Sequence, residues 1–497
     1  MSERTTIILA LDVGTSSLRA SLYDDQAASL KMSETQIQHQ IKVTPDGGAE
    51  LDPETLFMDL THAIDGAMKA APPGAALVAA ATSTLWHSVL GVDENGKAIT
   101  PLYTWADTRA AGAADDLRKR LDEKAVHERT GCVLHPSYLP ARLLWLSRTF
   151  PDQWKGAARW LSFGEYMLLR FFGKTVCSYS MASGTGLLDV HKLQWDPTML
   201  DAIGLDPKKL SPLVDLSKDD ALIGLTGEWA SRWPALATVP WFPAVGDGAC
   251  SNAGSGGTSS KRIAMQIGTS SAMRVMLDMP DRATEPGLWF YRVDKKRPLV
   301  GGALSEGGNV FAWLRSVLQL PPVETVETEL AAMKPDAHGL TMLPFLAGER
   351  SPDWAASARG AINGLTLGTT PLDIVRAALE SIAYRFALIE LRLGSLAAPE
   401  APIVASGGAL LSSPTWLQMM ADVMDRTVIA STEHEASSRG AVALVLEALG
   451  VMHSIDNAAP DLGQDYLPDP ARHEVYAAAM KRQADLYNEV VGQPRLV

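Results

Sequence analysis

The sequence predicts an α/β protein of two large domains, each built around a similar β-hairpin. The stretch LALDVGTSSLRASLYD at residues 9–24 recurs in altered form as MQIGTSSAMRVMLD at 265–278, so each half of the chain contains one copy. In both copies, apolar residues with a period of two flank a Gly-Thr-Ser-Ser tip, which is typical of two strands joined by a tight turn. A third glycine turn, within IVASGGALLSSPTWLQMMADV at 403–423, is predicted to join a strand to a helix.

Length and composition also indicate a soluble protein with more than one core. The chain has 497 residues, of which 46% are hydrophobic and 20% are charged, and one hydrophobic core rarely supports that length. A glycine-rich segment at 238–260 marks the expected boundary, so the domains are predicted at 1–245 and 246–497. The net charge of −13 argues against a nucleic acid partner, because binding a polyanion needs a basic face.

The cysteines and the apolar stretches bear on the compartment. Cys132, Cys177 and Cys250 are odd in number and far apart, which favours neither a disulfide framework nor a zinc site. The first residues lack the pattern of a secretion signal. The long uncharged stretch at 70–92 is interrupted by two prolines and by polar residues, so it is predicted to form a buried strand and a loop rather than a membrane span. We therefore expect a cytoplasmic protein with no membrane partner.

Several helices are predicted from apolar periodicity and capping residues. Residues 110–123 have the pattern of an exposed helix, residues 159–172 that of another, and Thr370 begins a long amphipathic helix. The tripeptide at 173–175, Gly-Lys-Thr, imitates the end of a phosphate-binding loop, but Leu168 stands where the first glycine of that loop should be. A Walker-type nucleotide site is therefore not predicted.

The two hairpin tips supply the first candidate ligand-binding residues. Glycine lets the backbone approach a ligand closely, and neighbouring amides and hydroxyls can then converge on a phosphate oxygen. The alternative is an ordinary hairpin with a polar tip. The residues concerned are Gly14, Thr15 and Ser16 in the first copy and Gly268, Thr269 and Ser270 in the second.

Four ordered motifs resemble those of the FGGY carbohydrate kinases. They are DVGTSS at 12–17, GDGACSNAGSG at 246–256, QIGTSS at 266–271 and SGGALLSSPTWLQMMADV at 406–423, and together they cover nearly the whole chain. The resemblance implies a duplicated, actin-like ATPase fold (ribonuclease H-like) with a cleft between the domains. It also implies ATP and Mg²⁺ as cofactors and a small sugar or sugar acid as the phosphoryl acceptor.

The same resemblance implies roles for individual residues. Asp247 would be the general base and would contact the substrate; its alternative is a simple helix cap. Asp12 would hold Mg²⁺ through water, and its alternative is a turn acid. Gly407 and Gly408 would let the nucleotide lie against the backbone, and their alternative is a tight strand-to-helix turn.

Substrate contacts are implied in the first half of the chain. Relatives place sugar contacts at segments that here carry aromatic, histidine and charged residues, although tryptophan is usually a core residue and a lone histidine is usually structural. His87, Arg109 and His135 are expected to donate to an acid group. Glu306 and Arg350 are further polar candidates, and Arg350 could equally form an interdomain salt bridge. The implied contacts are Trp86, His87, Trp105, Asp107, Arg109, His135 and Asp247.

Segments at 130–146, 178–196 and 301–315 are most similar to gluconokinases, which favours D-gluconate as the acceptor and 6-phosphogluconate as the product. Xylulose, ribulose and glycerol kinases share the four motifs and remain alternatives. Glycerol kinases carry Arg-Glu where this chain has Trp86-His87, which argues against glycerol. A nucleotide-switch ATPase and a non-catalytic sugar sensor are the other functional alternatives. The oligomeric state stays open between a monomer and a homodimer.

Overall fold

The computed structural model describes residues 6–279, 284–458 and 460–492. Within these residues the chain forms two α/β domains, and each domain has a central mixed sheet covered by helices. The strands are β1 (Thr6–Val13), β2 (Ser17–Tyr23), β3 (Thr35–Gln38), β4 (Lys42–Val43), β5 (Ala49–Leu51), β6 (Ala76–Thr84), β7 (Leu90–Val92), β8 (Leu102–Tyr103), β9 (Arg159–Leu161), β10 (Cys177–Ser178), β11 (Leu188–Asp189), β12 (Gln194–Trp195), β13 (Leu213–Val214), β14 (Val245–Gly246), β15 (Ile263–Ile267), β16 (Ser271–Met276), β17 (Trp289–Arg292), β18 (Pro298–Leu304), β19 (Thr341–Leu343), β20 (Ala361–Asn363), β21 (Ile403–Ser406), β22 (Val428–Ser431) and β23 (Leu462–Tyr466).

The helices lie mainly on the faces of these sheets. They are α1 (Pro53–Lys69), α2 (Ala111–Arg120), α3 (Glu123–Thr130), α4 (Leu139–Thr149), α5 (Pro151–Gly156), α6 (Phe163–Phe172), α7 (Tyr179–Ser183), α8 (Pro197–Ile203), α9 (Gly227–Arg232), α10 (Asp247–Gly254), α11 (Gly308–Val317), α12 (Val323–Ala332), α13 (Pro371–Leu393), α14 (Gly408–Leu411), α15 (Pro414–Met424), α16 (Ala436–Ala448) and α17 (Pro470–Val490). None of these helices combines the length and the apolar character needed to cross a bilayer.

The first central sheet has the strand order β14-β6-β1-β2-β3. Strands β1 and β2 form the predicted antiparallel hairpin, whose turn is closed by the amide of Gly14 donating to the carbonyl of Ser17 at 3.0 Å. Strands β6 and β14 extend the sheet in parallel. Parallel strands place their carboxyl ends at one edge, so Asp12, on β1, lies in register with Ser83 on β6. The face of β1 that carries Leu9 and Leu11 packs in one core with α1.

The second central sheet repeats this arrangement and is larger, with the order β17-β18-β16-β15-β21-β22-β23. Strands β15 and β16 form the second hairpin, and β21 and β22 extend the sheet in parallel from β15. The duplicated two-domain fold predicted from the repeated hairpin is therefore confirmed. Helix α13 runs through the core, and Thr370 and Asp373 form the capping box at its start, as the sequence predicted.

Two local predictions differ from the structure. Residues 159–172 are not one helix, because Arg159–Leu161 form β9, which pairs with β7; the helix begins only at Phe163, after the cap Ser162. The turn at 407–408 does not lead directly into the long helix. A short helix, α14, comes first, and Ser413 then caps α15.

The domains meet through helices as well as loops. Helix α10 follows β14 of the first sheet and packs against α16 of the second half, and α16 in turn contacts β1 and β6. Arg19 on β2 also forms an ion pair with Glu435, the residue before α16. These contacts hold the edge of the first sheet next to the second hairpin.

Candidate active site

A cavity of about 670 Å³ lies between the two hairpin tips and the start of α10. Thr15 and Ser16 line it from the first tip, and the second tip contributes residues 268–270. Asp247 lines the same cavity, so the structure brings together three motifs that are far apart in sequence. The remaining walls include Trp86, His87, Trp105, Trp289, Tyr291, Arg274 and Arg350.

Asp247 is the first residue of α10, and Gly246 precedes it as the cap residue. The amide of Gly248 donates to Oδ1 of Asp247 at 2.8 Å. Burial raises the pKa of the Asp247 carboxyl, while the positive charge of Arg274 is the main opposing influence. A helix N-terminus also favours a carboxylate. The group is therefore half-buried, oriented by its own helix and more basic than an exposed aspartate.

Asp12 lies close to the first tip, on the strand that leads into it. Burial raises the pKa of Asp12 to about 6, with Arg19 opposing the shift and the negative charge of Asp247 adding to it. Two carboxylates lie near one cavity, beside hairpin tips whose polar groups could bind phosphate. Such surroundings suit a hard cation that keeps several waters. The residues present therefore fit Mg²⁺ held through water, with Asp12 as the protein ligand.

The first tip is further held by side chains of its own domain. Trp105 Nε1 donates to Oγ1 of Thr15 at 3.2 Å. His39 Nε2 lies 3.2 Å from the carbonyl oxygen of Gly14, so this nitrogen is the donor. The hydroxyl and amides of the tip are thus placed before any ligand arrives.

Gly407 and Gly408 lie beside the second hairpin and do not line the cavity itself. Gly407 has a φ of +92°, and a Cβ atom there would overlap the backbone of Ile267. A Cβ atom on Gly408 would meet no atom within 4 Å. Gly407 is therefore required by the turn, whereas Gly408 presents an open backbone surface.

Trp86 fills a slot between the cavity and α10. A Cβ atom at Gly184, Gly246 or Gly248 would collide with its indole ring, so three glycines from separate elements make the slot. The indole nitrogen donates to the carbonyl of Ser180 at 3.0 Å. Trp86 is thus a fixed wall of the cavity.

His87 has a defined tautomer. Its Nδ1 lies 2.5 Å from the carbonyl oxygen of Gly184, and because a carbonyl can only accept, Nδ1 carries the proton. Burial, with help from the charge of Arg350, lowers the pKa of His87 to about 3. The ring is neutral, and Nε2 is an acceptor. This differs from the donor role expected from the sequence.

Asp107 and Arg109 do not line the cavity. Arg109 Nη2 lies 2.5 Å from both Glu50 Oε1 and Asp107 Oδ2, and its guanidinium stacks 4.8 Å from the ring centre of Trp145. Strand β5 pairs with β8 and so places Glu50 beside the arginine. In the described structure Arg109 is thus part of an internal ion pair, and the expected substrate contact stays a prediction.

His135, like His87, is a neutral histidine. Its Nδ1 accepts from the amide of Ser137 at 3.2 Å, which leaves the proton on Nε2. Burial lowers the pKa of His135 well below its usual range, and the charge of Arg350 adds to this effect. His135 Nε2 has no partner among the described residues, and the ring does not line the cavity.

Two arginines matter more than the sequence suggested. Arg274, on β16, was not singled out, and Arg350 was one of two further candidates; both line the cavity. Burial lowers the pKa of Arg274 to about 10, with Asp247 opposing the shift, so the group stays protonated at neutral pH. Arg350 lies over the ring of Trp105, at 5.5 Å from its centre. Neither guanidinium forms an ion pair with an acidic side chain in the described ranges, and the Nε of each has no partner there.

A signal for Arg274 does exist in the sequence. It is a lone charge within an apolar strand, at the position where the first hairpin copy has Ala20. Glu306, the other further candidate, is buried and does not line the cavity. Burial raises its pKa to about 8, with the charge of Glu349 adding to the effect.

Comparison with known proteins matches two domain models to the two halves of the chain. The model of the N-terminal domain of the FGGY family of carbohydrate kinases matches residues 7–254, and the model of the C-terminal domain matches residues 263–449. The chain is a member of the FGGY family of carbohydrate kinases. The family resemblance read from the four motifs is thereby confirmed, and the protein is a phosphotransferase that acts on a small carbohydrate.

Among FGGY kinases, the gluconokinase of Bacillus subtilis (strain 168) is 31% identical over 479 residues, which cover 94% of this chain and 92% of the relative. A gluconate kinase structure from Lactobacillus acidophilus superposes with a TM-score of 0.90 at 25% identity and covers 99% of both chains. A xylulose kinase structure from the same organism also has a TM-score of 0.90, at 26% identity, and covers 98% of this chain and 99% of that one. The fold is therefore that of the FGGY kinases, and it is shared by enzymes with different acceptors.

Proposed function

We propose that this kinase transfers the γ-phosphoryl group of ATP to the terminal hydroxyl of a sugar acid, D-gluconate, and yields 6-phosphogluconate. The observation that carries the proposal is the charge of the cavity. Two protonated guanidinium groups, Arg274 and Arg350, face it, and the acidic group on its wall is Asp247. A carboxylate on the substrate would balance the second cation, whereas a neutral polyol would leave it unpaired.

Arg350 is the proposed partner of that carboxylate. It lies with the aromatic residues of the first domain, over Trp105, and its charge acts strongly on His87 and His135. Arg274 acts more strongly on Asp247 than Arg350 does. A planar guanidinium can bind a carboxylate through two parallel hydrogen bonds. An extended acid would then run from Arg350 toward Asp247, and the acceptor nitrogen of His87 would receive a hydroxyl proton along the way.

Asp247 is proposed as the general base. As the acceptor oxygen bonds to the γ-phosphorus, the bond from that phosphorus to the bridging oxygen breaks, ADP leaves with the electron pair, and the hydroxyl proton passes to Asp247. Loss of the proton comes late in a loose transition state, so a carboxylate is a sufficient acceptor. Asp12 would help to hold Mg²⁺, which would supply neutralisation of charge on the phosphate oxygens.

The two hairpin tips are proposed to hold the phosphates. Thr15 and Thr269 face the cavity from opposite domains, so a polyphosphate bound between them would draw the domains together. Closure would exclude water, which competes as an acceptor. Gly408 offers the open surface for the nucleoside part of ATP.

Two broader expectations belong with this proposal. The division at residues 245/246 stays a prediction; it falls within β14 and ahead of α10, which packs against α16 of the second half. A cytoplasmic location is supported by Cys132, Cys177 and Cys250, which are free and buried thiols, as a reducing compartment would keep them.

The proposal is tested with acceptors that differ at one group. D-Glucitol has the carbon chain of D-gluconate with a CH₂OH in place of the carboxylate. We expect kcat/KM for gluconate to exceed that for glucitol, xylulose and glycerol by more than about tenfold, which corresponds to about 1.4 kcal/mol. A tenfold preference for xylulose or glycerol would defeat the gluconate assignment and leave the kinase activity standing.

Variants of two arginines make the test specific. Arg350→Met should lower the ratio of gluconate to glucitol activity, and Arg350→Lys should restore part of it. Arg109→Met is the matched control, because this guanidinium also stacks on aromatic rings but is paired with Glu50 and Asp107 outside the cavity. If the ratio of gluconate to glucitol activity fell equally in Arg350→Met and Arg109→Met, the role of Arg350 would be contradicted.

A neutral ketose is the second candidate acceptor. The free acceptor nitrogen of His87 suits a hydroxyl rather than an acid, and the xylulose kinase of Lactobacillus acidophilus superposes as well as the gluconate kinase does. The same panel of acceptors decides between the two.

A further inference from the structure

Arg274 has an unusual position for a half-buried arginine. It projects from β16, the strand that leaves the second hairpin, and lines the cavity. Its one side-chain hydrogen bond among the described residues, from Nη1 to Gln266 Oε1, is long at 3.4 Å, and Nε has no partner. The guanidinium is therefore held in place without having its charge neutralised.

The start of α10 is shaped to receive this guanidinium. A Cβ atom on Gly248 would lie 3.1 Å from Nη2 and 3.2 Å from Cζ of Arg274. The absence of a side chain at 248 thus lets the charged group lie against the first turn of the helix, immediately beside Asp247.

We propose that Arg274 is a positioning residue for Asp247, whose carboxylate it holds and orients through its charge without a direct ion pair. The inference rests on the proposed role of Asp247 as the base. Arg274 and Asp247 form no ion pair in the described structure, so the guanidinium does not occupy the carboxylate oxygens, of which Oδ1 accepts from the amide of Gly248. A bidentate salt bridge would instead occupy those oxygens.

The electrostatic surroundings support this pairing. The charged or titratable groups that act on Asp247 are Arg274, Arg350, Asp12 and Cys250, and among the cations Arg274 has the larger effect. Conversely, Asp247 is the main group that favours the protonated form of Arg274. A buried carboxylate without a nearby cation is strongly disfavoured. Arg274 therefore favours the charged form of the base and opposes the effect of burial.

The test is a double-mutant cycle with Arg274→Met and Asp247→Asn, read as kcat with gluconate and Mg·ATP. We expect Arg274→Met to lower kcat by about 10- to 100-fold in the wild-type background and by less than about threefold when Asp247 is already Asn. Arg274→Lys should retain most of the activity, and free guanidinium ions should partly rescue Arg274→Ala. A purely structural role would respond to neither.

Arg297→Met is the matched control, because this arginine is bound to Asp294 and Glu447 outside the active-site cavity. It should keep the wild-type kcat, and guanidinium ions should have no effect on it. Binding of ADP, measured by calorimetry, checks that each variant is folded. If Arg274→Met does not fold, the cycle is run with Arg274→Ala, with and without free guanidinium ions.

Three results would overturn the inference. If the fold losses in kcat of Arg274→Met and Asp247→Asn simply multiply in the double variant, Arg274 acts on other atoms, such as the phosphoryl oxygens. A rise in KM for gluconate alone would make Arg274 a substrate contact. If guanidinium ions raised the kcat of Arg297→Met as much as that of Arg274→Ala, the rescue would not be specific to position 274. By contrast, full turnover by Asp247→Asn would contradict the base assignment itself, so the two failures are distinguishable.

Discussion

Gly254 of α10 and Gly440 of α16 meet backbone to backbone where these helices cross between the domains. A Cβ atom on Gly440 would overlap the carbonyl of Cys250 and lie 2.8 Å from the amide nitrogen of Gly254, and one on Gly254 would overlap the carbonyl of Ala436. These neighbours are backbone atoms in helices and cannot rotate away. The crossing therefore fixes how closely α10, which carries Asp247 at its other end, can lie against the second domain.

Gly440→Ala should force the two helices apart. We expect the free energy of unfolding to fall by about 1–3 kcal/mol, and kcat to fall because the start of α10 moves with the helix. Gly112→Ala is the control, since this exposed helical glycine has no atom within 4 Å of an added Cβ. The free energy of unfolding of Gly112→Ala should stay the same or rise by up to about 1 kcal/mol. Denaturant unfolding of both variants checks this, and a Gly440→Ala protein as stable as the wild type would contradict it.

Asp247→Asn should separate catalysis from binding. Removing a general base should lower kcat by about 10² to 10⁴, while the affinities for ADP and gluconate, measured by calorimetry, should change little. Asp201→Asn, on the surface of α8, serves as the control and should have the wild-type kcat. Near-normal turnover by Asp247→Asn would reduce this residue to a helix-terminal acid without a catalytic role.

Glu306 should make stability depend on pH. Burial raises its pKa to about 8, compared with about 4.3 in an unfolded chain. Between these values the folded state holds a proton that the unfolded state has released, so the free energy of unfolding decreases as pH rises, by at most about 1.4 kcal/mol per pH unit. The decrease ends once the pH passes the folded-state pKa.

Glu306→Gln should remove that contribution. Denaturant unfolding from pH 7 to 8.5, above the usual histidine range, should show a flatter pH dependence for the variant than for the wild type. Glu324→Gln, an exposed acid on α12, should leave the slope unchanged. Parallel curves for wild type and Glu306→Gln would mean that Glu306 is ionised in the folded protein.

Gly407 and Gly408 should respond differently to substitution. Gly407→Ala adds a Cβ at a φ of +92° against the backbone of Ile267, and should lower the free energy of unfolding by about 1–3 kcal/mol. Gly408→Val meets open space, so the protein should fold normally but have a higher KM for ATP and an unchanged KM for gluconate. Equal KM values for ATP in wild type and Gly408→Val would move the nucleotide away from this turn.

The sequence predicted the parts of the site that depend on local pattern. Gly-Thr-Ser tips and the glycine-rich start of α10 lie at strand ends, and parallel strands bring their ends to one edge, so Asp247 and both tips could be expected to converge. The contacts that set the pairing and protonation of the charged and histidine side chains could not be predicted in this way. Arg109 is bound by Glu50 from another strand, and the tautomer of His87 is set by a carbonyl far away in sequence.

Longer-range pairing also explains the local differences. Residues 159–161 have no strong strand pattern of their own and become a strand because β7 offers an edge for pairing. Arg274 and Arg350 come from a strand and a loop that meet only in the folded protein, and neither carries a motif that marks it as a cavity residue. Tertiary contacts, not propensity, determine these positions.

The slot that holds Trp86 has a consequence for changing acceptor preference. One face of this indole is a wall of the cavity, while its edges rest on Gly246 and Gly248, which flank Asp247. Enlarging the cavity by shortening Trp86 would therefore also unseat the first turn of α10. Laboratory evolution toward a bulkier acceptor should then yield paired changes, in which a smaller residue at 86 is accompanied by a larger one at 184, 246 or 248.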